Sequence, residues 1–450
     1  MLPGLLRRTV SLRSNLRTAL QFQQVKNTTS CRNLSTVCCI VGTTFDPSFT
    51  PINQKPKRTM ATYSITPPSQ ELLKPIHVPP KTLMGPGPSN ASDRVLKASA
   101  LPILGHLHPE FCKVMDDIKA GLQYAFQTKN PVTFAISGTG HAGMEAALMN
   151  IIERGEVFMS AVKGLWGERA ADLADRLGAD VRRISKPLGE VFSLDDIEKG
   201  LKEHKPSALY LCHSESSSGI LQPLEGMGPL CKKYNCILIV DTVASLGGVP
   251  FFLDELDIDL VYSGSQKVLS APPGTAPITF GPRAIEKIKN RKTRVPSFYF
   301  DFEGLANYWG CDEGPRRYHH TAPINSMYAL RESLAFLAEE GLEKFWARHK
   351  ECAELLYKGV EDMGLKMLVP NKDCRLPCVN TVCVPEGVDW KAVTVYVMSK
   401  YSIEISGGLG ASAGKVWRIG LMGENATKEN VERVLKALKE GIESVKAGGK

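Results

Sequence analysis

The sequence predicts an α/β fold, a mostly parallel sheet covered on both faces by helices, followed by a smaller α+β unit. Three observations predict it. From about residue 130, short apolar runs rich in β-branched residues alternate with stretches of helical length and pattern. Those runs are continuous, as strands buried on both faces require. After residue 330 the alternation gives way to long helices, closely spaced strands and a last helix.

In chain order, PVTFAIS (131–137) is the first expected strand and AGMEAALMNIIE (142–153) its helix. EVFMSA (156–161) and GERAADLADRLGA (167–179) repeat the pair. VRRIS (181–185) precedes SLDDIEKGLKEH (193–204), a helix that Ser193 is placed to cap. SALYLCHS (207–214), the helix GPLCKKYN (228–235), CILIVDT (236–242) and DLVYSGSQK (259–267) complete this part. Farther on, SLAFLAEEGLEKFWARHKECAELLYKGVEDM (333–363) forms long helices. PCVNTVCV (377–384), SIEISGG (402–408) and KVWRIGLM (415–422) supply strands, and KENVERVLKALKEGIESV (428–445) closes with a helix. The expected organisation is an extension over 1–59, an arm over 60–82, a large domain over 83–340 and a small one over 341–450.

Composition narrows the function. Of the formal charge of +8, all resides in residues 1–59, which hold nine Lys or Arg and one acid, Asp46. The remainder balances at 46 of each sign. A neutral body lacks the basic footprint that nucleic-acid binding needs. No run reaches the roughly 18 apolar residues of a membrane-spanning helix, so a soluble chain is expected. The extension is rich in Arg, Ser, Thr and Leu, with Leu2, Leu5, Leu12, Leu16 and Leu20 on one helical face. That composition predicts a mitochondrial transit segment, and a shorter form starting at Met60 would lack it. The final Ala-Gly-Gly-Lys does not match the Ser-Lys-Leu peroxisomal address. The twelve cysteines show no metal-ligand spacing, and scatter as reduced thiols do.

Three features stand near the ends of expected strands, where ligands of such sheets bind. Ser137-Gly138-Thr139-Gly140-His141 joins a strand to a helix; it serves as an anion cradle or as an ordinary tight turn. Asp241 ends the strongest apolar run, either capping the next turn or meeting a ligand. Lys267, among small residues, is either a surface lysine or an amine primed for Schiff-base chemistry. Together the three match the handles of pyridoxal 5′-phosphate: a phosphate, a ring nitrogen that wants a carboxylate, and an aldehyde that wants an amine. Lys267 would then move a proton at the substrate's Cα. Arg418, within an apolar strand, is the candidate for a substrate carboxylate, with a structural ion pair as the alternative.

Gly85-Pro86-Gly87-Pro88, the 137–141 segment, Glu215-Ser216-Ser217-Ser218-Gly219, Asp241-Thr242-Val243-Ala244-Ser245 and Ser263-Gly264-Ser265-Gln266-Lys267 resemble the alanine–glyoxylate (serine–pyruvate) aminotransferases of class V. So do Trp309-Gly310-Cys311, Tyr318-His319-His320-Thr321, Gly407-Gly408-Leu409-Gly410 and Lys415-Val416-Trp417-Arg418-Ile419-Gly420. The resemblance runs in register from about Met60 to the C-terminus. It implies a fold-type I pyridoxal-phosphate-dependent transferase with a seven-stranded type of sheet, working as a homodimer. It also implies transfer of the amino group of L-alanine, or L-serine, to glyoxylate. It gives Lys267 the covalent link to the cofactor and Asp241 the ring nitrogen. Trp166 would stack on the ring, and Thr139, Gly140, His141, Ser216 and Gln266 would surround the cofactor. Tyr318 and Thr321 would reach the phosphate from the partner subunit, and Gly85, Ser216 and Arg418 would form the substrate side. His319 and His320 are left structural. Thr139 stands where the family often has serine.

Other readings are weaker. Transamination of 3-hydroxykynurenine uses the same scaffold. A cysteine desulfurase needs a mobile nucleophilic thiol, for which Cys311, Cys374 and Cys378 lack a supporting motif. A dinucleotide-dependent dehydrogenase needs a full GxGxxG with a following acid, and none is present.

Overall fold

The computed structural model describes residues 65–448. The transit segment expected over 1–59 lies outside the described residues. Residues 65–76 fall in a unit of their own. There the short 3-10 turn Gln70–Leu73 begins at Ser69, whose hydroxyl accepts from the Glu71 N–H. The second unit begins at His77.

A seven-stranded sheet lies at its centre, in the order Thr133–Ser137, Thr275–Phe280, Leu260–Tyr262, Ile237–Asp241, Ala208–Cys212, Val157–Val162, Asp180–Ser185. Thr275–Phe280 runs antiparallel to both neighbours, and every other pairing is parallel. Two reversals cancel, so Ser137, Val162, Cys212, Asp241 and Tyr262 finish along one edge. Ala208–Cys212 and Ile237–Asp241 are buried at every position, which is why they read as unbroken apolar runs. Asp180–Ser185 is the outer strand, and exposed Arg182 and Arg183 keep that edge from pairing further.

The helices follow from spacing and caps. Leu194–His204 starts in a reciprocal cap, Ser193 accepting from the Asp196 N–H and Asp196 from the Ser193 N–H. It buries Ile197 and Leu201, one turn apart. Pro109–Phe126 buries Phe111, Met115, Ile118, Leu122 and Phe126, a three-to-four spacing that lays one stripe against Ile324–Glu340. Leu122 is wholly buried, and Leu122→Ala would cost about 2–5 kcal/mol.

A second core holds the C-terminal portion. There Val379–Cys383, Val416–Gly420 and Ser406–Gly407 form a three-stranded antiparallel sheet. Leu342–Asp362, Trp390–Tyr401 and Lys428–Lys446 cover it, and Leu356, Val393, Trp417, Val431 and Leu438 are fully buried among them. Met84 belongs to this core as well. Its neighbours Thr82–Leu83 pair in parallel with Ile403–Glu404 as a separate two-stranded sheet, and the Gly420 N–H donates to Met84 O, which ties Gly85 and Pro86 to this portion.

The structure differs from expectation in three places. The strand expected over 259–267 ends at Tyr262, and Lys267 sits in the following loop. Thr275–Phe280, unforeseen, returns from that loop to fill the gap beside Thr133–Ser137. The stretch 402–408 divides into two short strands with different partners, because Ile405 turns the chain between the sheets.

Candidate active site

The cradle is built where Thr133–Ser137 meets the helix Gly140–Ile151. Thr139 is its N-cap in extended conformation, and its side chain makes no capping hydrogen bond. The first-turn amides are therefore open to a ligand, with the helix dipole favouring an anion. A Cβ on Gly140 would come within 3.2 Å of a Val243 methyl, so glycine keeps this floor thin. His141 is exposed, 3.1 Å from an Arg169 nitrogen, and its ring meets Trp166 edge-on at 5.4 Å. Partial burial, then Arg169, lowers its pKa.

Asp241 ends its strand 3% exposed. One carboxylate oxygen accepts from Tyr262 Oη at 2.6 Å and Tyr210 Oη at 3.0 Å; the other accepts from the Val243 N–H at 2.8 Å. Burial raises its pKa, while Tyr262, Val243 and Tyr210, in that order, favour the carboxylate. The sheet's register causes this cluster. Tyr262 and Cys212 both pair with Asp241, and Tyr210 lies two residues before Cys212, so all four share one face. Burial in turn drives both phenols well above their ordinary range, so they act as donors.

Lys267 occupies a loop tied down on both sides. The Ser265 N–H donates to Thr275 O, the Ser89 N–H to Gln266 O, and Ser89 Oγ to Lys267 O at 2.7 Å. Lys267 Nζ donates to Pro86 O. Burial, then Arg418, pushes its pKa down to about 8, against the opposing pull of Asp241 and Glu404. A Cβ on Gly87 would overlap the Lys267 side chain at 2.4 Å, and Gly87 has φ +105°, so only glycine suits this turn. Next door, Gln266 Oε1 is buried beside Gly264 without a hydrogen-bond partner.

These groups enclose one cavity of about 150 Å³, lined by Thr139, Gly140, His141, Met144, Trp166, Ser214, Ser216, Asp241, Val243, Ala244, Tyr262, Gln266 and Lys267. Eight expected site residues thus come together: Thr139, Gly140, His141, Trp166, Ser216, Asp241, Gln266 and Lys267. Trp166 is fixed by its Nε1–H on Ser216 Oγ at 2.9 Å and by its backbone N–H on Glu215 Oε2 at 3.2 Å. Arg418 flanks them, buried, donating through Nε to Gly407 O at 2.8 Å and through Nη1 to Ser216 O at 3.4 Å. Its neighbours are thus carbonyls, while Glu215 and Glu404 act on it through space. Gly85 lies beside Glu404 and Ser406, where a Cβ would come within 2.9 Å of both.

Tyr318 and Thr321 lie elsewhere. Both are exposed on the surface, 3.3 Å apart through their hydroxyls. His319 and His320, between them, turn inward; the two rings hydrogen-bond each other, and His320 Nε2 reaches Ser137 Oγ at 2.6 Å. Sequence reasoning overlooked Tyr210, Tyr262 and the buried Lys163, because the tyrosines lie on neighbouring strands and only the strand pairing puts them beside Asp241. Cys311, Cys374 and Cys378 line no part of the cavity, and burial raises all three thiols.

With this geometry in place, the chain was compared with known proteins. The family model for aminotransferase class-V matches residues 95–434. An alanine–glyoxylate aminotransferase of Callithrix jacchus is 52% identical over 387 residues, 86% of this chain and 94% of that protein. One from Drosophila melanogaster is 50% identical over 383 residues, 85% of this chain and 97% of that protein. The crystal structure of alanine–glyoxylate aminotransferase from Nostoc sp. superposes with a TM-score of 0.81 at 50% identity, covering 84% of this chain and all of that one. The fold is accordingly that of the fold-type I aminotransferases. On its matched segment, its relatives and the groups around Lys267, this chain belongs to the aminotransferase class-V family.

Proposed function

We propose that the chain transfers the amino group of alanine to glyoxylate, giving pyruvate and glycine, with pyridoxal 5′-phosphate held in the cavity beside Lys267. The observation that carries the reading is the convergence of an open helix N-terminus, a buried carboxylate and a depressed lysine on one space. The residues fit the group: the open helix N-terminus suits a dianion, and the buried Asp241 carboxylate at the cavity wall suits a protonated ring nitrogen. When bound, the cofactor supplies an aldehyde for covalent attachment and a ring that accepts electrons from the substrate's Cα.

The chain's own residues do the rest. Asp241, kept acceptor-only by two phenols and an amide, holds the ring nitrogen in its protonated form. Lys267, with a pKa near 8, exists partly as the free amine close to neutrality. It would therefore take the proton from Cα and return it to the carbon across the amino nitrogen, on the cofactor side. Trp166, locked by Ser216, offers a flat wall against which the ring is positioned. Arg418 retains free N–H groups for a substrate carboxylate, since guanidinium carries five donors and two are engaged.

We further propose a homodimer, supported by exposed Tyr318 and Thr321, which have no cofactor in their own subunit to serve. Residues 1–59 are proposed to direct import into mitochondria, on their composition. The test is a donor–acceptor matrix on purified protein: alanine, serine and 3-hydroxykynurenine against glyoxylate and pyruvate. Alanine with glyoxylate is expected to lead. Borohydride reduction followed by mass spectrometry should place the cofactor on Lys267 and find none in Lys267→Ala; attachment elsewhere would overturn the assignment.

A further inference from the structure

Lys163 is a lysine that neither the cradle nor the cavity uses. It follows the strand Val157–Val162 and is 2% exposed, among the largest wholly buried side chains of the molecule. A buried ammonium is costly unless its charge answers others. Its surroundings hold the answer. Nζ donates to Cys212 O, the carbonyl of the peptide whose other end, the His213 N–H, donates to Asp241 O at 2.9 Å. One peptide unit therefore stands between Lys163 and Asp241. Cys212 is also Asp241's partner in the sheet.

A second buried acid lies on the other side. Glu215 is wholly buried, and its two oxygens accept from Ser217 and from the Trp166 N–H. Gly164, next to Lys163, leaves space for that carboxyl: a Cβ there would fall 2.3 Å from Glu215 Cδ. Two carboxylates and one ammonium thus share a water-excluded corner beneath the site, with Tyr210, Tyr262, Cys212 and His213 as the other titratable groups facing it. Glu215 and Asp241 favour the charged form of Lys163 through space, opposing its burial, and Lys163 favours the charged form of both acids.

We infer that Lys163 is a positioning residue for the cofactor's ring, supplying the buried positive charge that lets Asp241 remain a carboxylate beside Glu215. This rests on the proposed binding of pyridoxal phosphate at Asp241. Without Lys163 the two buried acids would lose the one ammonium that acts on both, and the corner would recruit a proton. A protonated Asp241 no longer favours a protonated ring nitrogen. The loss should therefore touch the ring nitrogen and nothing else about the cofactor.

The experiment measures binding of pyridoxal 5′-phosphate, and of its 1-deaza analogue in which carbon replaces the ring nitrogen, to wild type, Lys163→Gln and Lys163→Met. The glutamine keeps a donor for Cys212 O and removes the charge; the methionine keeps the apolar stem. Both variants are expected to bind the natural cofactor about tenfold more weakly or worse near neutral pH, while the deaza analogue binds as in wild type. Raising the pH should restore the natural cofactor's affinity as Asp241 ionises. Equal losses for both ligands mark Lys163 as merely structural and overturn the proposal, as does an unchanged affinity for both. Should Lys163→Met not fold, Lys163→Gln with wild-type affinity still overturns it. A wild type that binds neither ligand refutes the proposed cofactor itself, which is a different result.

Discussion

Removing the Tyr262 hydroxyl tests how Asp241 is held. In Tyr262→Phe the ring stays and one donor disappears, the one 2.6 Å from Asp241 Oδ2. A hydrogen bond to a charged group contributes about 1.5–3 kcal/mol. Tyr210, 3.0 Å from the same oxygen, remains as partial compensation. The expected destabilisation is therefore about 1.5–2 kcal/mol, the lower end of that range. Burial already raises Asp241's pKa, and losing a donor raises it further. The extra cost is fully present where folded Asp241 is a carboxylate. It disappears as pH falls through the folded pKa, because a protonated carboxyl no longer needs the phenol. Thermal unfolding of the cofactor-free protein at about pH 8 and about pH 5 reads this out. The variant's Tm should fall below wild type by a few degrees at the higher pH, and the gap should narrow at the lower one. Equal Tm values at the higher pH, or a gap that widens on acidification, would refute the reasoning.

Other outcomes follow from the same geometry. Arg418→Ala should raise KM for alanine severely with near-normal cofactor binding; unchanged kinetics would make Arg418 a purely structural donor to Gly407 and Ser216. Gly87→Ala combines φ +105° with overlap on Lys267, so covalent cofactor attachment should be lost, and a normally loaded variant would contradict the tight turn. Lys267's pKa of about 8 lies below that of an unfolded lysine, near 10.5. Between those values the unfolded chain binds the extra proton, so the cofactor-free protein should gain stability as pH rises through that window. Lys267→Met should lack this gain, and parallel stability curves for the two proteins would speak against a depressed amine. A fluorescent reporter carrying residues 1–59 should enter mitochondria; diffuse cytosolic signal would dispose of the transit reading.

Much of this was legible before any coordinates. Continuous apolar runs located five of the seven strands, since burial on both faces leaves no polar alternation, and Asp180–Ser185, with exposed Arg182 and Arg183, was read from its place in the alternation. Thr275–Phe280 escaped because Pro277 sits at its middle, and proline removes a ladder donor. The structure uses that residue's carbonyl instead, which accepts from the Ser263 N–H. Lys267 was found by its chemical company although its strand was drawn too long. Tyr210, Tyr262 and Lys163 were invisible for the opposite reason: each sits in an apolar stretch, and only the pairing register tells a ligand-side tyrosine from a core one. The outward placement of Tyr318 and Thr321 was implied by resemblance and could not come from periodicity, because an irregular segment has none.

The late strand has a bearing on how the protein is made. Thr133–Ser137 touches one neighbour in the sheet, Thr275–Phe280, and Ser137 pairs with Thr275, synthesised about 140 residues later. At roughly 5–20 residues per second, a ribosome takes roughly ten to thirty seconds to cover that interval. Throughout it, Thr133–Ser137 can pack on the helix Pro109–Phe126 made before it but has no strand to pair with. The same docking event closes the loop that carries Lys267, because Thr275 is its far end. Cradle and amine are thus completed together, while Arg418 is still to be made.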